Sequence, residues 1–223
     1  MSSRMVIMSV EILKIAEIFY SLQGESTFAG LPCVFVRLSG CNLQCTWCDT
    51  AYANDHPAEM SVDDIMEHVS RWPCRLVEVT GGEPLLQPAV HQLIAGLCSQ
   101  GYEVLLETSG AEDISGVDPR VHRIMDIKCP GSGMGAHNRG ENLSHLTAND
   151  QIKMIIAGRT DYEWARDLIR EKQLDRICPV LMAPAFGRVS NTDLAQWILE
   201  DHLPVRYQLQ LHKYIWPADW KGV

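Results

Sequence analysis

The 223-residue sequence contains no long apolar segment free of charge. The apolar stretch after Arg4 is interrupted by Glu11, Lys14 and Glu17, and nowhere else do about 18 apolar residues run together without a charge. A spanning helix and a secretory signal peptide are therefore not expected. We expect a cytoplasmic protein that has no membrane partner.

Basic residues are also scarce. Lys and Arg number 19 against 28 Asp and Glu, which gives a formal net charge of -9 at pH 7. Non-specific nucleic-acid binding depends on clustered Lys and Arg that displace counterions from phosphates. The charge balance therefore disfavours a nucleic-acid partner and favours a small ligand. The 46% hydrophobic content is ordinary for a globular chain, and the length suits one large domain.

Cysteine is the residue type that points to chemistry. Eight cysteines in a cytoplasmic protein would stay reduced, which favours metal or redox chemistry over disulfides. Three of them, Cys41, Cys45 and Cys48, have the spacing C-x3-C-x2-C in one short segment. We interpret the others as structural: Cys33, Cys74, Cys98, Cys129 and Cys178.

Strand and helix patterns alternate along the chain. Predicted strands cover residues 33–38, 75–80, 103–108, 122–128, 151–157, 176–182 and 205–211. Predicted helices cover residues 62–71, a segment from Pro88 to Gly101, residues 160–173 and residues 192–200, with capping boxes at Ser61/Asp64 and Thr160/Glu163. This order predicts an α/β fold with a parallel sheet, a modified and incomplete (β/α) TIM-type barrel. A flavodoxin-like open sheet is the alternative.

The segments that packing explains least follow the ends of successive strands. They are residues 41–50, 81–84, 108–110 and 126–135. Barrel active sites form at the carboxyl ends of parallel strands, so we expect these segments to meet in one site.

The cysteine-rich segment admits two interpretations. Three thiolates suit an iron–sulfur cube with one iron left open, although protein clusters more often have four cysteine ligands. A closed zinc site needs four Cys or His ligands, and no second C-x-x-C or H-x(3-5)-H lies nearby. The later segment Gly81-Gly82-Glu83-Pro84 could bring backbone close to a ligand and present a carboxylate.

Together, the C-x3-C-x2-C and GGE elements resemble the radical S-adenosylmethionine (radical SAM) enzymes. Within that superfamily, residues 21–25 (SLQGE), 48–50 (CDT), 107–110 (ETSG) and 212–214 (HKY) resemble the 7-carboxy-7-deazaguanine synthases. The resemblance runs from about Lys14 to Pro217. It implies an N-terminal extension at residues 1–13 and a core domain at residues 14–223, with Met1, Met5 or Met8 as possible starts.

That resemblance implies a homodimeric lyase with a 4Fe-4S cluster, S-adenosylmethionine and Mg2+. The expected reaction converts 6-carboxy-5,6,7,8-tetrahydropterin to 7-carboxy-7-deazaguanine with loss of ammonia, in the route to queuosine and related 7-deazapurines. An external donor such as flavodoxin or ferredoxin would reduce the cluster.

The resemblance also assigns residues to roles. Cys41, Cys45 and Cys48 would hold the cluster, and Thr50 would bind Mg2+. The cofactor would contact Trp47, Asp49, Gly82, Glu83, Gly110, Asp126 and Lys128. The substrate would contact Leu22, Gln23, Gly24, Arg37, Thr108 and Pro217, and the groups expected to act on it directly are Arg37, Glu25 and His212.

Arg37 and Thr50 can be weighed on physical grounds. Arg37 alternates with apolar residues, so its guanidinium should point into the barrel and need an anion there, either the substrate carboxylate or a protein carboxylate. Thr50 is a weak, neutral ligand, so Mg2+ binding should depend on substrate oxygens, and a turn hydroxyl is the plainer interpretation.

Two positions and two rival functions remain open. His212 is expected at the end of the last strand, facing the barrel mouth. Residues 218–223 extend past Pro217, so a terminal carboxylate that relatives place near the substrate could be replaced by Glu25 or by the Val223 carboxylate. The rival functions are a glycyl-radical-enzyme activase, which shares the cysteine motif, and a zinc-binding module without catalysis.

Overall fold

A nine-stranded sheet forms the scaffold of the computed structural model, which describes residues 11–223. The strands are β1 (Ile12–Leu22), β2 (Pro32–Leu38), β3 (Ala58–Ser61), β4 (Leu76–Gly81), β5 (Glu103–Thr108), β6 (His122–Asp126), β7 (Gln151–Ile156), β8 (Val180–Pro184) and β9 (Arg206–Tyr207). The helices are α1 (Val62–Ser70), α2 (Val90–Ser99), α3 (Arg159–Lys172), α4 (Asn191–Glu200) and α5 (His212–Ile215).

The strand order is β3-β1-β2-β4-β5-β6-β7-β8-β9. β1 is antiparallel to both β2 and β3, and every pairing from β2 to β9 is parallel. From β4 onwards the strands follow one another in sequence order, as in a barrel, whereas a doubly wound sheet reverses its order. The sheet does not close, so the predicted incomplete barrel is confirmed and the flavodoxin-like alternative is excluded.

The predicted helices and strands are largely confirmed, with four differences. β1 and β3 were not predicted, because a bulge in β1 between Ile15 and Glu17 interrupts the alternation of apolar residues and β3 is only four residues long. The strand predicted at 176–182 starts at Val180, because residues 174–176 form a 3-10 turn, and the last strand shrinks to Arg206–Tyr207.

Helix starts were predicted with mixed success. Ser61 and Asp64 form the expected capping box, with Asp64 N 3.1 Å from Ser61 Oγ. Thr160 does not cap α3: the helix begins after Gly158 without a side-chain cap, so that prediction is wrong. Gly101 has φ +80°, in the left-handed region expected for a residue that ends a helix.

The two faces of the sheet differ in character. One face packs against α1 to α4 through apolar residues such as Val77, Val79, Leu93 and Ile169. The alternate residues of the same strands carry charge, because successive strand side chains point to opposite faces. The charged face is where the site residues gather.

Strand β1 carries residues that were predicted to lie outside the core domain. Ile12 and Leu13 belong to this strand, and the Leu13 side chain is fully buried. The division at residue 13 stays a prediction, and the choice of start among Met1, Met5 and Met8 lies outside the described residues. Among residues 11–223, no helix is long and apolar enough to cross a membrane.

Candidate active site

The cysteine loop, residues 41–48, begins three residues after β2 ends. The backbone of the GGE segment, residues 81–83, forms hydrogen bonds with the residues that lead into this loop. Glu83 N donates to Gly40 O at 2.8 Å and Gly82 N donates to Leu38 O at 3.2 Å. A Cβ at Gly82 would collide with the Gly40 carbonyl. The glycine is therefore required for packing of β4 against the loop, a reason that the sequence did not reveal.

The three cysteines of the loop are free thiols that range from half-buried to exposed. Burial raises the pKa of Cys41 and Cys45, and the nearby Lys128 ammonium partly offsets this effect. Thiolates are the ligands that iron–sulfur clusters use, so the donor set fits a cluster with three protein ligands. Within residues 11–223, no group of three His, Cys, Asp or Glu side chains is close enough for a single metal ion.

Asp126 presents an open acceptor beside the cysteine loop. Its Oδ2 atom is 2.9 Å from Lys128 Nζ, and its Oδ1 atom is buried with no hydrogen-bond partner among residues 11–223. A buried acceptor without a partner is destabilising unless a ligand completes it. The hydroxyl groups of a nucleoside would do so, and the residues present therefore fit S-adenosylmethionine at this position.

Glu83 differs from what its assigned role suggests. Its fully buried carboxylate accepts from Thr108 Oγ1 at 2.9 Å, from Ser109 N at 2.7 Å, from Ser109 Oγ at 2.6 Å and from Leu85 N at 3.0 Å. A cofactor ammonium would have to displace one of these hydroxyl donors. The contacts of Glu83 with cofactor and of Thr108 with substrate stay predictions.

A buried lysine that the sequence reasoning missed lies at the centre of the charged face. Lys153 Nζ contacts Glu107 Oε1, lies 2.8 Å from Glu25 Oε2, and is 3.9 Å from Asp126 Oδ2. Burial opposes its charge, but the carboxylates of Glu107, Glu25 and Asp126 raise its pKa well above the usual value. Lys153 thus connects Glu25, which was assigned to the substrate, with Asp126, which was assigned to the cofactor.

Glu107 and Glu78 share this face, but their pKa values shift in opposite directions. Burial opposes ionisation of Glu107, yet Lys153 and the Thr80 hydroxyl lower its pKa to about 2. Burial and the Glu107 charge raise the pKa of Glu78 well above its usual value, and Gln23 Nε2 contacts its Oε2. Charged residues at alternate positions of apolar strands, as in Val77-Glu78-Val79 and Ile152-Lys153-Met154, were the signal that could have revealed them.

Arg37 forms an ion pair with a protein carboxylate, which was one of the two anions expected from the sequence. Its Nη nitrogens take no part in this pair. Its Nε donates to Glu17 Oε1 at 2.7 Å. Neither Nη nitrogen has a hydrogen-bond partner among the described residues, and neither is sealed from solvent. The ion pair and an anion site are therefore compatible.

The C-terminal segment closes the site from the other side. His212 is the first residue of α5 rather than the end of a strand, and a Cβ at Gly24 would collide with its ring. Gln210 Nε2 lies 3.1 Å from Glu25 Oε1 and 3.3 Å from Asp49 Oδ2, and Lys213 Nζ donates to Asp49 at 2.6 Å.

The remaining assigned residues lie around these contacts. Thr50 Oγ1 is 3.8 Å from Cys48 Sγ, and the Arg188 guanidinium lies 5.7 Å from the centre of the Trp47 ring. Leu22 ends β1, and Gly110 has φ +71° with no room for a Cβ beside Met125. Pro217 O accepts from Trp220 N, in a turn that is followed by Lys221, whose Nζ lies 4.1 Å from the centre of the Tyr52 ring.

Comparisons with known proteins identify the family of the chain. The Radical SAM superfamily profile matches residues 35–171. The 7-carboxy-7-deazaguanine synthase of Chlorobaculum tepidum is 48% identical over 95% of this chain and 97% of its own length. The synthase of Koribacter versatilis is 45% identical over 95% of this chain and its full length. The crystal structure of QueE from Escherichia coli shares the fold, with a TM-score of 0.73, 24% identity, and coverage of 90% of this chain and 95% of that one. The chain therefore belongs to the 7-carboxy-7-deazaguanine synthase family of the radical SAM superfamily.

Proposed function

We propose that this chain is a radical SAM lyase that converts 6-carboxy-5,6,7,8-tetrahydropterin to 7-carboxy-7-deazaguanine. Loss of one ammonia balances the atoms of substrate and product, so the overall conversion consumes no electrons. The observation that carries the proposal is the placement of two groups at the end of β2. Arg37, whose two Nη nitrogens have no hydrogen-bond partner among residues 11–223, is one residue from the end of that strand, and the cysteine loop starts three residues after it.

Cys41, Cys45 and Cys48 would hold the cluster, and Asp126 with Lys128 would bind the S-adenosylmethionine nucleoside. When bound, these two groups would supply the radical chemistry that removes a hydrogen atom from the substrate. The open Oδ1 atom of Asp126 and its position beside the loop support this assignment. The cysteine loop also reaches the surface at Cys48, which is exposed. An electron donor such as flavodoxin or ferredoxin would need such access to the cluster.

The protein groups on the charged face would bind and orient the pterin. Arg37 would hold the substrate carboxylate through its two Nη nitrogens, a fork that matches the two carboxylate oxygens. Glu25, whose Oε2 atom lies 2.8 Å from Lys153 Nζ, would accept an N–H of the pterin ring. Gln23, Gly24 and His212 form the adjoining wall.

Mg2+, the homodimer and the cytoplasm are further parts of the proposal. Thr50 would contribute one oxygen to Mg2+, with substrate oxygens and water completing the coordination. Reduced thiols suit the cytoplasm, and light scattering of the purified chain would measure the dimer.

The test is anaerobic turnover. The cluster-loaded chain is incubated with the carboxytetrahydropterin, S-adenosylmethionine, Mg2+ and dithionite, and product and ammonia are measured. We expect equal amounts of 7-carboxy-7-deazaguanine and ammonia. Cleavage of S-adenosylmethionine without any deazaguanine would refute the substrate, and a colourless protein that holds stoichiometric zinc would refute the radical mechanism.

A further inference from the structure

A bulge in β1 determines which residue faces Arg37. Ile15 pairs with Leu38, but the next pair is Glu17 with Arg37, because the register shifts between Ile15 and Glu17. An uninterrupted antiparallel ladder would place Ala16 opposite Arg37 instead. Residues directly opposite one another in antiparallel strands project from the same face, so the bulge brings a carboxylate to the guanidinium.

The Glu17 carboxylate is itself held in place. Its Oε1 atom accepts from Arg37 Nε at 2.7 Å and from Tyr52 OH at 2.8 Å. The Phe19 ring lies beside the guanidinium, with its centre 5.8 Å from the Arg37 guanidinium carbon, and stacks on Phe35 at 4.8 Å. The guanidinium is therefore fixed by a carboxylate at one edge and an aromatic ring beside it.

This arrangement uses only one edge of the guanidinium. The Arg37 side chain is 15% exposed, and its Nη nitrogens have no partner within the described part of the chain. A carboxylate that binds both Nη nitrogens needs the plane of the guanidinium to be fixed, because bidentate recognition is directional. Glu17 at Nε fixes that plane without occupying the fork.

We infer that Glu17, supported by Tyr52, is a positioning residue that orients Arg37 for recognition of the substrate carboxylate. The inference rests on the proposed function, in which Arg37 binds that carboxylate. Nothing in the proposed chemistry requires Glu17 to touch the substrate. Its role is to hold the fork in one orientation.

Charge and geometry make opposite predictions for Glu17. Its negative charge beside Arg37 repels an incoming carboxylate, so by Coulomb's law alone its removal should strengthen anion binding. If Glu17 positions Arg37, its removal should weaken binding in spite of the gain in net positive charge. Replacement by Gln removes the charge but keeps an acceptor for Arg37 Nε, so this variant separates the two effects.

The experiment is anaerobic calorimetry on the cluster-loaded full chain saturated with S-adenosylmethionine. The probes are 6-carboxypterin and pterin, which differ only in the carboxylate. For Glu17→Ala we expect about tenfold or greater loss of affinity for 6-carboxypterin, the scale of one charge-assisted hydrogen bond, with pterin changed by less than about threefold. Glu17→Gln should bind 6-carboxypterin as wild type does or more tightly.

Two further variants complete the design. Tyr52→Phe removes one donor to Glu17 and should lose affinity for 6-carboxypterin to a smaller degree than Glu17→Ala. The matched control is Glu67→Ala, which removes an exposed acidic side chain on α1 and should change neither affinity.

The outcomes separate the two proposals. If wild type does not prefer 6-carboxypterin to pterin, the assigned substrate contact is wrong, and the role of Glu17 falls with it. If wild type shows the preference and Glu17→Ala keeps it, only the positioning role is overturned. Equal losses for both probes would also overturn it, because a general structural defect would not depend on the carboxylate.

Discussion

The Lys153 ammonium lies 2.8 Å from the Glu25 carboxylate, a contact between residues 128 positions apart in the chain. Glu25 follows β1, near one edge of the sheet, and Lys153 is in β7, five strands along from β1. The pair therefore spans the charged face that the open barrel encloses.

Lys153→Met should damage both stability and function. Removal of one partner from a buried ion pair leaves carboxylates unpaired and typically lowers the free energy of unfolding by about 3–5 kcal/mol. Chemical denaturation measures this loss. The double variant Lys153→Met/Glu107→Gln removes one positive and one negative charge and should recover part of the stability. Equal stability of wild type and Lys153→Met would show that Lys153 is solvated.

Cys45→Ala should abolish retention of the cluster while the fold persists. In the proposed site the three thiolates would be the whole protein ligand set, and the loop lies outside the apolar core. Iron content after anaerobic reconstitution and the circular dichroism spectrum are the measurements. Cys98→Ala, on α2, is the matched control and should keep its iron. A Cys45→Ala protein with the wild-type iron content would exclude the assigned ligands.

Asp126→Asn should weaken S-adenosylmethionine binding about ten- to hundredfold, because hydrogen bonds to a charged acceptor are worth about 1.5–3 kcal/mol. Iron content should stay at the wild-type level. Calorimetry with the cofactor on the cluster-loaded chain measures the change. Asp113→Asn, a surface position near Arg139, serves as control. An unchanged affinity in Asp126→Asn would mean that another ligand completes the open Oδ1 atom.

Thr50→Ala should raise the Mg2+ concentration needed for half-maximal turnover, since one of few protein oxygens would be lost. Cluster content should not change. Turnover titrated with Mg2+ is the measurement, and Thr192→Ala on α4 is the control. If Arg37 and Mg2+ hold the same carboxylate, the effects of Arg37→Lys and Thr50→Ala should be non-additive by about 0.5–3 kcal/mol.

A buried ion pair away from the site should make stability depend on pH. Arg123 Nη2 lies 2.6 Å from Asp150 Oδ2 and Arg123 Nε lies 2.9 Å from Oδ1. Burial opposes ionisation of Asp150, but hydrogen bonds from Arg123 and Thr147 hold its pKa below the usual 3.8. A lowered carboxyl pKa contributes stability that is complete above 3.8 and is lost as pH falls through the folded-state value.

Asp150→Asn should therefore destabilise the chain by about 3–5 kcal/mol at pH 7, with the difference from wild type shrinking in acid. Denaturation at a series of pH values is the measurement. Asp167→Asn, which affects an exposed pair with Arg166, should change stability by less than about 1 kcal/mol. A pH-independent difference between Asp150→Asn and wild type would contradict the assigned ionisation.

Sequence patterns predicted the parallel strands well because each is a short apolar segment bounded by turn residues. They missed β1, in which Glu17 interrupts the apolar residues at the bulge, because pairing across the sheet rather than local pattern defines that strand. The cysteine loop was found because its spacing is local. Lys153 and Glu78 were missed because their function arises from contacts between distant strands, which periodicity alone does not show.

The contacts of Lys213 with Asp49 and of Lys221 with Tyr52 join residues synthesised late to residues synthesised early. A ribosome makes the cysteine loop long before it makes α5, so the thiols emerge before the C-terminal residues that line the site have been made. Stable loading of the cluster and cofactor would accordingly follow translation of residues 208–222.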